Sequence, residues 1–145
     1  MAENTWVVRL NWHLVEEDDD PRWHYERAFY AYLPPRRRGI DYIGKCDGKT
    51  VRQRWNYDAK SKVWDCINER TQHHHVIVAE IETEARLTRK LVSDIESLLI
   101  YRVQQIQPLC NHTNAASRGK HTRPGMKIQC RGAWPLSQKT FNEID

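Results

Sequence analysis

The chain has 145 residues, a length that suits one domain with its own core and leaves little room for two. With 39% apolar residues, a mean hydropathy of −0.82 and no apolar run of membrane length, neither a spanning helix nor a signal peptide is expected. A net charge of +4 is too small for a histone-like polyelectrolyte, and six Trp with six Tyr argue against general disorder.

The segment Thr5 to Val15 sets Trp6, Val8, Leu10, Trp12 and Leu14 at alternate positions, the period of a strand. The acidic run Glu16 to Asp20, expected to be loose, ends it together with Pro21. Arg27 to Leu33 is a second strand, with Phe29, Ala31 and Leu33 on one face and Ala28, Tyr30 and Tyr32 on the other. Pro34-Pro35 stops it, because proline offers no ladder donor. Past the basic tip Arg36-Arg37-Arg38, Gly39 restarts the chain into a third strand over Ile40 to Gly44, and Asp47-Gly48 turns it. Thr50 is placed to cap a short helix with Val51 and Trp55 one turn apart, and a further helix is predicted over Ser61 to Glu69.

Val76 to Glu82 is the most apolar strand of the chain. Thr83 is then expected to cap a long helix whose apolar positions Leu87, Leu91, Ile95, Leu98, Leu99, Val103 and Ile106 follow a 3.6 period. Pro108 closes it, Met126 to Cys130 supplies a last strand, and a loop carries Trp134 and Pro135. The order predicts an α/β chain of the α+β type, a small central and mostly antiparallel sheet flanked by helices. It forms one domain over residues 1–145, with a core over about 27–115 and the strands at 5–15 and 126–136 as additions.

Cys46, Cys66, Cys110 and Cys130 include no Cys-x-x-Cys pair, which removes the signature of a zinc ribbon or a thioredoxin-like site. They are expected to be free thiols acting as small hydrophobes in a reducing, cytoplasmic setting. Basic clusters around 36–38, 45–54 and 118–127 face a single acidic run, a distribution fit to meet a polyanion.

Four residue types in order carry chemistry. Glu96 borders the buried stripe of the long helix, where an unpaired carboxylate is costly, and either an ion pair with Arg or Lys or a bound Mg²⁺ would keep it ionised. Tyr30 and Tyr42 are placed on one face of paired strands, and a phenol serves as a base near neutral pH only beside cations such as Lys45 and Arg54. Arg54, three residues after Val51, is preferred to Arg52 as the guanidinium that forks onto a phosphate. Gly44, read as a strand end, admits a close approach of backbone or ligand. His73-His74-His75 makes a poor chelate on extended backbone. Asp94 points about 200° from Glu96, away from any shared ion.

Phe29-Tyr30, Tyr42-Ile43-Gly44-Lys45, Thr50-Val51-x-x-Arg54-Trp55, Glu96-x-Leu98-Leu99-Ile100 and Pro108-x-x-Asn111 together resemble the GIY-YIG nuclease domain over roughly residues 27–115. Ala28-Phe29-Tyr30 stands where Gly-Ile-Tyr would be, residues around Asp47-Gly48 lengthen the interval to Arg54, and Asp58 stands where many members carry His or Tyr. The resemblance implies a metal-dependent DNA endonuclease using Mg²⁺, with Mn²⁺ as a substitute. Glu96 is the implied metal ligand, Arg54 the phosphate ligand, Tyr30 or Tyr42 the activator of water, and Lys45 an electrostatic neighbour. Asn111 is implied near the substrate with Asn114 as its substitute, and Asp58 as a proton acceptor or a second ligand. The competing expectation is a DNA-binding module that kept the fold without turnover. So little material lies outside the core that DNA specificity is expected from a partner protein, a homodimer mate or DNA shape.

Overall fold

The computed structural model describes residues 6–35, 38–70, 74–111 and 125–143. Six strands among them, β1 (Trp6–Val15), β2 (Arg27–Leu33), β3 (Tyr42–Asp47), β4 (His75–Thr83), β5 (Met126–Gly132) and β6 (Thr140–Asn142), form one mixed sheet in the order β3-β2-β4-β1-β5-β6. The β1/β5 pairing is parallel and the other four are antiparallel. Three α-helices, α1 (Val51–Asp58), α2 (Lys62–Arg70) and α3 (Arg89–Gln104), complete an α+β fold, with a short 3-10 helix at Pro21–His24. None is long and apolar enough to cross a membrane among the described residues.

Alternation on β2 splits the core in two, and it does so with the residues read from the sequence. Phe29, Ala31 and Leu33 join Leu91, Ile95, Leu98 and Leu99 of α3 on one side of the sheet. Ala28, Tyr30 and Tyr32 join Val51 of α1, Ile67 of α2 and Trp23 of the 3-10 helix on the other. Both faces of β2 are covered, which is why six of its seven residues are buried. The strands set apart in the sequence as additions, β1 and β5, lie side by side, and β1 is interior between β4 and β5.

Four expectations are corrected. The third strand runs from Tyr42 to Asp47, because Ile40 is held by Gln107 through its backbone N–H and C=O, at 2.7 Å each, before pairing with β2 begins in earnest. Thr83 is the last residue of β4, paired with Val8, and Thr88 caps α3 by accepting from the Leu91 N–H. Leu87 therefore precedes the helix and Ile106, 46% exposed, lies beyond its end. The acidic run is anchored: Asp20 caps the 3-10 helix, and the indole of Trp23 donates to the Glu17 carbonyl at 3.0 Å.

The fourth correction concerns the thiols. Cys66 of α2 and Cys110, beyond α3, are joined in a disulfide across 44 residues of sequence. Only the tertiary fold brings their Cα atoms to 5.8 Å, so no spacing rule announces the bond. Cys46 and Cys130 do behave as expected: both are buried and free, and burial pushes their thiols up to about 11 and about 12. The disulfide withdraws the support that four free thiols lent to a reducing compartment. Residues Arg36, Arg37, His73, Asn114 and Arg118 lie outside the described residues.

Candidate active site

β3 is the edge of the sheet, so side chains from both of its faces reach the same opening. Tyr42 and Lys45 have opposite parity on the strand, yet both line a cleft of about 510 Å³ together with Arg54 of α1 and Glu96 of α3. Asp47, Lys49, Arg89, Ser93, Ile100 and Asn111 complete the lining. Four cations against two carboxylates make the cleft electropositive.

α1 starts where it does because Thr50 and Gln53 form a reciprocal capping box. That start fixes the phase of the helix. Arg54 faces the cleft, while Arg52 stacks over Trp23 with its guanidinium carbon 4.3 Å from the ring centroid and donates to the Asp18 carbonyl at 2.9 Å. Arg54 is thus the guanidinium that lines the cleft, and Arg52 lies against Trp23 instead.

α3 presents Arg89, Ser93, Glu96 and Ile100 to the cleft, a stripe at i, i+4, i+7 and i+11. The Glu96 side chain is 14% exposed, and Lys45 approaches its Oε1 at 3.9 Å while donating to Ser93 Oγ at 2.9 Å. Burial raises the Glu96 pKa, and the Lys45 and Arg54 charges offset that only in part. Asp94, completely buried, pairs with Lys90 at 3.3 Å and takes no part in the cleft.

The tyrosines form a stacked group behind the opening. Tyr32 pairs with Tyr42 across β2/β3, their rings 5.5 Å apart and near-parallel, and Tyr30 pairs with Gly44. A Cβ on Gly44 would overlap the Tyr30 ring at Cζ. Gly44 is thus a mid-strand glycine rather than a strand end, and the Tyr30 ring packs directly against it. Tyr30 is fully buried and donates to Asp58 Oδ2 at 2.8 Å; Tyr32 donates to the same oxygen at 2.7 Å. The Tyr42 ring lies beside that of Tyr30, their centroids 6.3 Å apart.

Asp58, 2% exposed, sits behind these phenols and does not line the cleft. Its pKa is raised by burial against the lowering effect of Tyr32, Tyr30 and Arg54. The phenols are also held above their ordinary range: burial comes first, with the Asp58 charge adding to it and Arg54 opposing it at both Tyr30 and Tyr42. The expectation that nearby cations would favour phenolate fails because desolvation and the carboxylate outweigh them.

Asn111 lines the cleft but spends its amide on the scaffold, accepting from the Ile43 N–H at 3.1 Å and donating to the Ile43 carbonyl at 2.6 Å. It continues the hydrogen bonding of the sheet past its edge strand. His74, beside Trp64 and 3.7 Å from Asp41, is away from the cleft. Tyr32, Lys49, Arg89 and Ser93 were missed in the sequence. Strand parity with Tyr30 marks Tyr32, and the helical stripe through Glu96 marks Arg89 and Ser93.

No group of three His, Cys, Asp or Glu side chains able to hold a metal occurs among the described residues. Glu96 can therefore offer one carboxylate, with Asp47 of the same cleft engaged by Arg27 at 2.8 Å and by Arg89 at 3.7 Å. Mg²⁺ accepts such a site, since it keeps most of its waters and takes phosphate oxygens alongside one or two carboxylates. No protein-family model, no curated protein and no solved structure matches this chain.

Proposed function

We propose that the chain is a metal-dependent DNA endonuclease with a GIY-YIG-type site. The observation that carries this reading is the convergence of Tyr42, Lys45, Arg54 and Glu96, from three elements spread over 55 positions of sequence (42 to 96, counted inclusively), on one electropositive cleft. Arg54 and Lys45 bind the scissile phosphate and stabilise charge as it builds on the non-bridging oxygens. Lys49 and Arg89 hold the flanking backbone. Glu96 would hold Mg²⁺, or Mn²⁺ in its place, and the bound ion would supply Lewis-acid stabilisation of the phosphate. Tyr42, the phenol that reaches the cleft, orients the attacking water through its hydroxyl oxygen.

The test is cleavage of plasmid and branched DNA with and without Mg²⁺, beside Glu96→Ala. Metal-dependent nicking by the wild type, lost in a variant that melts and binds DNA normally, is the expected result. Nicking by Glu96→Ala at the wild-type rate ends the reading.

One observation favours a second reading, a DNA-binding module without turnover: the phenols of Tyr30 and Tyr32 are committed to Asp58. That protein would bind DNA with a steep salt dependence and cleave nothing with Mg²⁺ or Mn²⁺.

A further inference from the structure

Arg54 is the forked phosphate ligand of the nuclease reading, so the direction in which it points matters to every step. Its buried Nε meets no hydrogen-bond partner, and its guanidinium carbon lies 5.2 Å from the ring centroid of the exposed Tyr57. The aim of the side chain is therefore set first by the helix that carries it. Resting on the nuclease reading, we infer that Asp58 is a positioning residue that locks the rotation of α1 against β2 and so directs Arg54 into the cleft.

Asp58 stands four residues after Arg54, one turn further along the same face of α1. Its Oδ2 accepts from Tyr30 at 2.8 Å and from Tyr32 at 2.7 Å, alternate residues on one face of β2. Its backbone carbonyl accepts from the N–H and the hydroxyl of Ser61, at 3.0 and 2.9 Å, just ahead of α2. At the other end of the helix the Val51 N–H donates to the Tyr25 carbonyl at 3.1 Å. Arg54 lies between these two attachments. Through the Tyr30 ring, which packs against Gly44, the Asp58 bond also keeps α1 in line with β3, the strand of Tyr42 and Lys45.

Burial alone does not fix the rotation. Trp55 packs with its ring 5.3 Å from Tyr32 and 5.0 Å from Trp64, but apolar contact is non-directional and lets a helix turn a little in place. Hydrogen bonds hold preferred angles, and two of them from one strand onto one oxygen remove that freedom. Side chains of an α-helix reach about 5–6 Å from its axis, so a rotation of about 10° carries their ends by about 1 Å. A displacement of that size in a substrate ligand costs on the order of 100-fold in rate.

Asp58→Asn and Asp58→Ala remove the same charge, but only the amide keeps an oxygen for the two phenols. Their difference therefore reports the bonds rather than the charge. Purified wild type, both variants, Arg54→Ala and the double variant Arg54→Ala/Asp58→Ala are compared for Mg²⁺-dependent plasmid cleavage, DNA affinity and thermal melting. Asp58→Ala is expected to lose about 10–100-fold in cleavage per folded molecule, and Asp58→Asn to recover most of that loss. In the Arg54→Ala background Asp58→Ala subtracts nothing further, because the group it directs is gone, whereas a purely structural role lowers both backgrounds equally. DNA affinity follows the same pattern, and the slope of log affinity against log salt falls by about 1 in Asp58→Ala as it does in Arg54→Ala.

An undiminished Asp58→Ala, an Asp58→Asn as damaged as Asp58→Ala, or losses that multiply in the double variant overturn the positioning role and leave the nuclease reading in place. If Asp58→Ala does not fold, Tyr32→Phe replaces it in the cycle, since it deletes one of the two bonds and keeps the ring. The absence of any Tyr32→Phe loss, or a loss that survives in the Arg54→Ala background, then overturns the role. A wild type that binds DNA and cuts none overturns the nuclease reading, while the affinities still decide the role of Asp58. A wild type that binds no DNA overturns both.

Discussion

The two faces of the sheet carry different chemistry through the same strand. Towards α3, Phe29, Ala31 and Leu33 meet Leu91, Ile95, Leu98 and Leu99, and burial of hydrocarbon is the whole of that contact. Towards α1 and α2, Tyr30 and Tyr32 meet Trp55, Trp64 and the carboxylate of Asp58, so the second core is aromatic and polar. The cleft opens at the end of the sheet where the two meet, beside β3. The lesson is a division of labour: one side stabilises the sheet, and the other spends part of that stability on burying polar groups.

The comparison breaks most sharply on the α3 side. Leu98→Ala, at a fully buried position, is expected to cost about 2–5 kcal/mol in denaturant unfolding while leaving kcat per folded molecule unchanged. Equal losses of stability and turnover would show that the two faces are not separable. The disulfide sits on the other side, tying α2 to the segment that carries Asn111. Its reduction is expected to cost about 2–4 kcal/mol by chemical denaturation. An identical unfolding midpoint with and without reductant would mean that Cys66 and Cys110 are thiols.

Gly44→Ala strikes the join between the faces. The added methyl would overlap Tyr30 Cζ and come within 2.5 Å of its Oη, and a ring packed between Tyr32 and Tyr42 has little freedom to withdraw. A drop of about 10–100-fold in kcat is expected, the scale of a misplaced catalytic group, with DNA affinity nearly intact. Tight binding together with full turnover would detach Tyr30 from the chemistry.

How much the sequence revealed depends on where each signal lives. Alternation is local, so β2 and its two faces were legible residue by residue, as were the α1 cap at Thr50 and the place of Glu96 at the border of the apolar stripe of α3. The start of α3 was not, because Thr83 and Thr88 are both competent caps and only the pairing of Thr83 with Val8 assigns the first to the strand. The β3 edge explains the rest. Parity separates Tyr42 from Lys45, and only the position of β3 at the margin of the sheet lets both reach one cleft. The bond from Tyr30 to Asp58 spans 28 residues and depends on how α1 docks, which no periodicity encodes. Asp58 read as a departure from a family pattern; in the fold it is the group that the phenols address.

The smallest effect bears on the cost of the site. Burial raises the Glu96 pKa in the folded protein above its ordinary 4.5, so between those two values the folded state binds the proton more tightly than the unfolded chain does. This group's contribution to stability is therefore greatest below its unfolded pKa, declines as pH rises through the folded pKa, and stays diminished at neutrality. Glu96→Gln removes the charge and keeps the shape, so it should raise stability at pH 7 by about 0.5–2 kcal/mol and lose that advantage below the ordinary carboxylate range. Lys45 limits the gain, since it gives up a partner at 3.9 Å but keeps Ser93 at 2.9 Å. Melting curves across pH for the two proteins make the measurement. A variant less stable than wild type at pH 7 would mean that the cations of the cleft already compensate the carboxylate, and that no second cation is needed to hold it ionised.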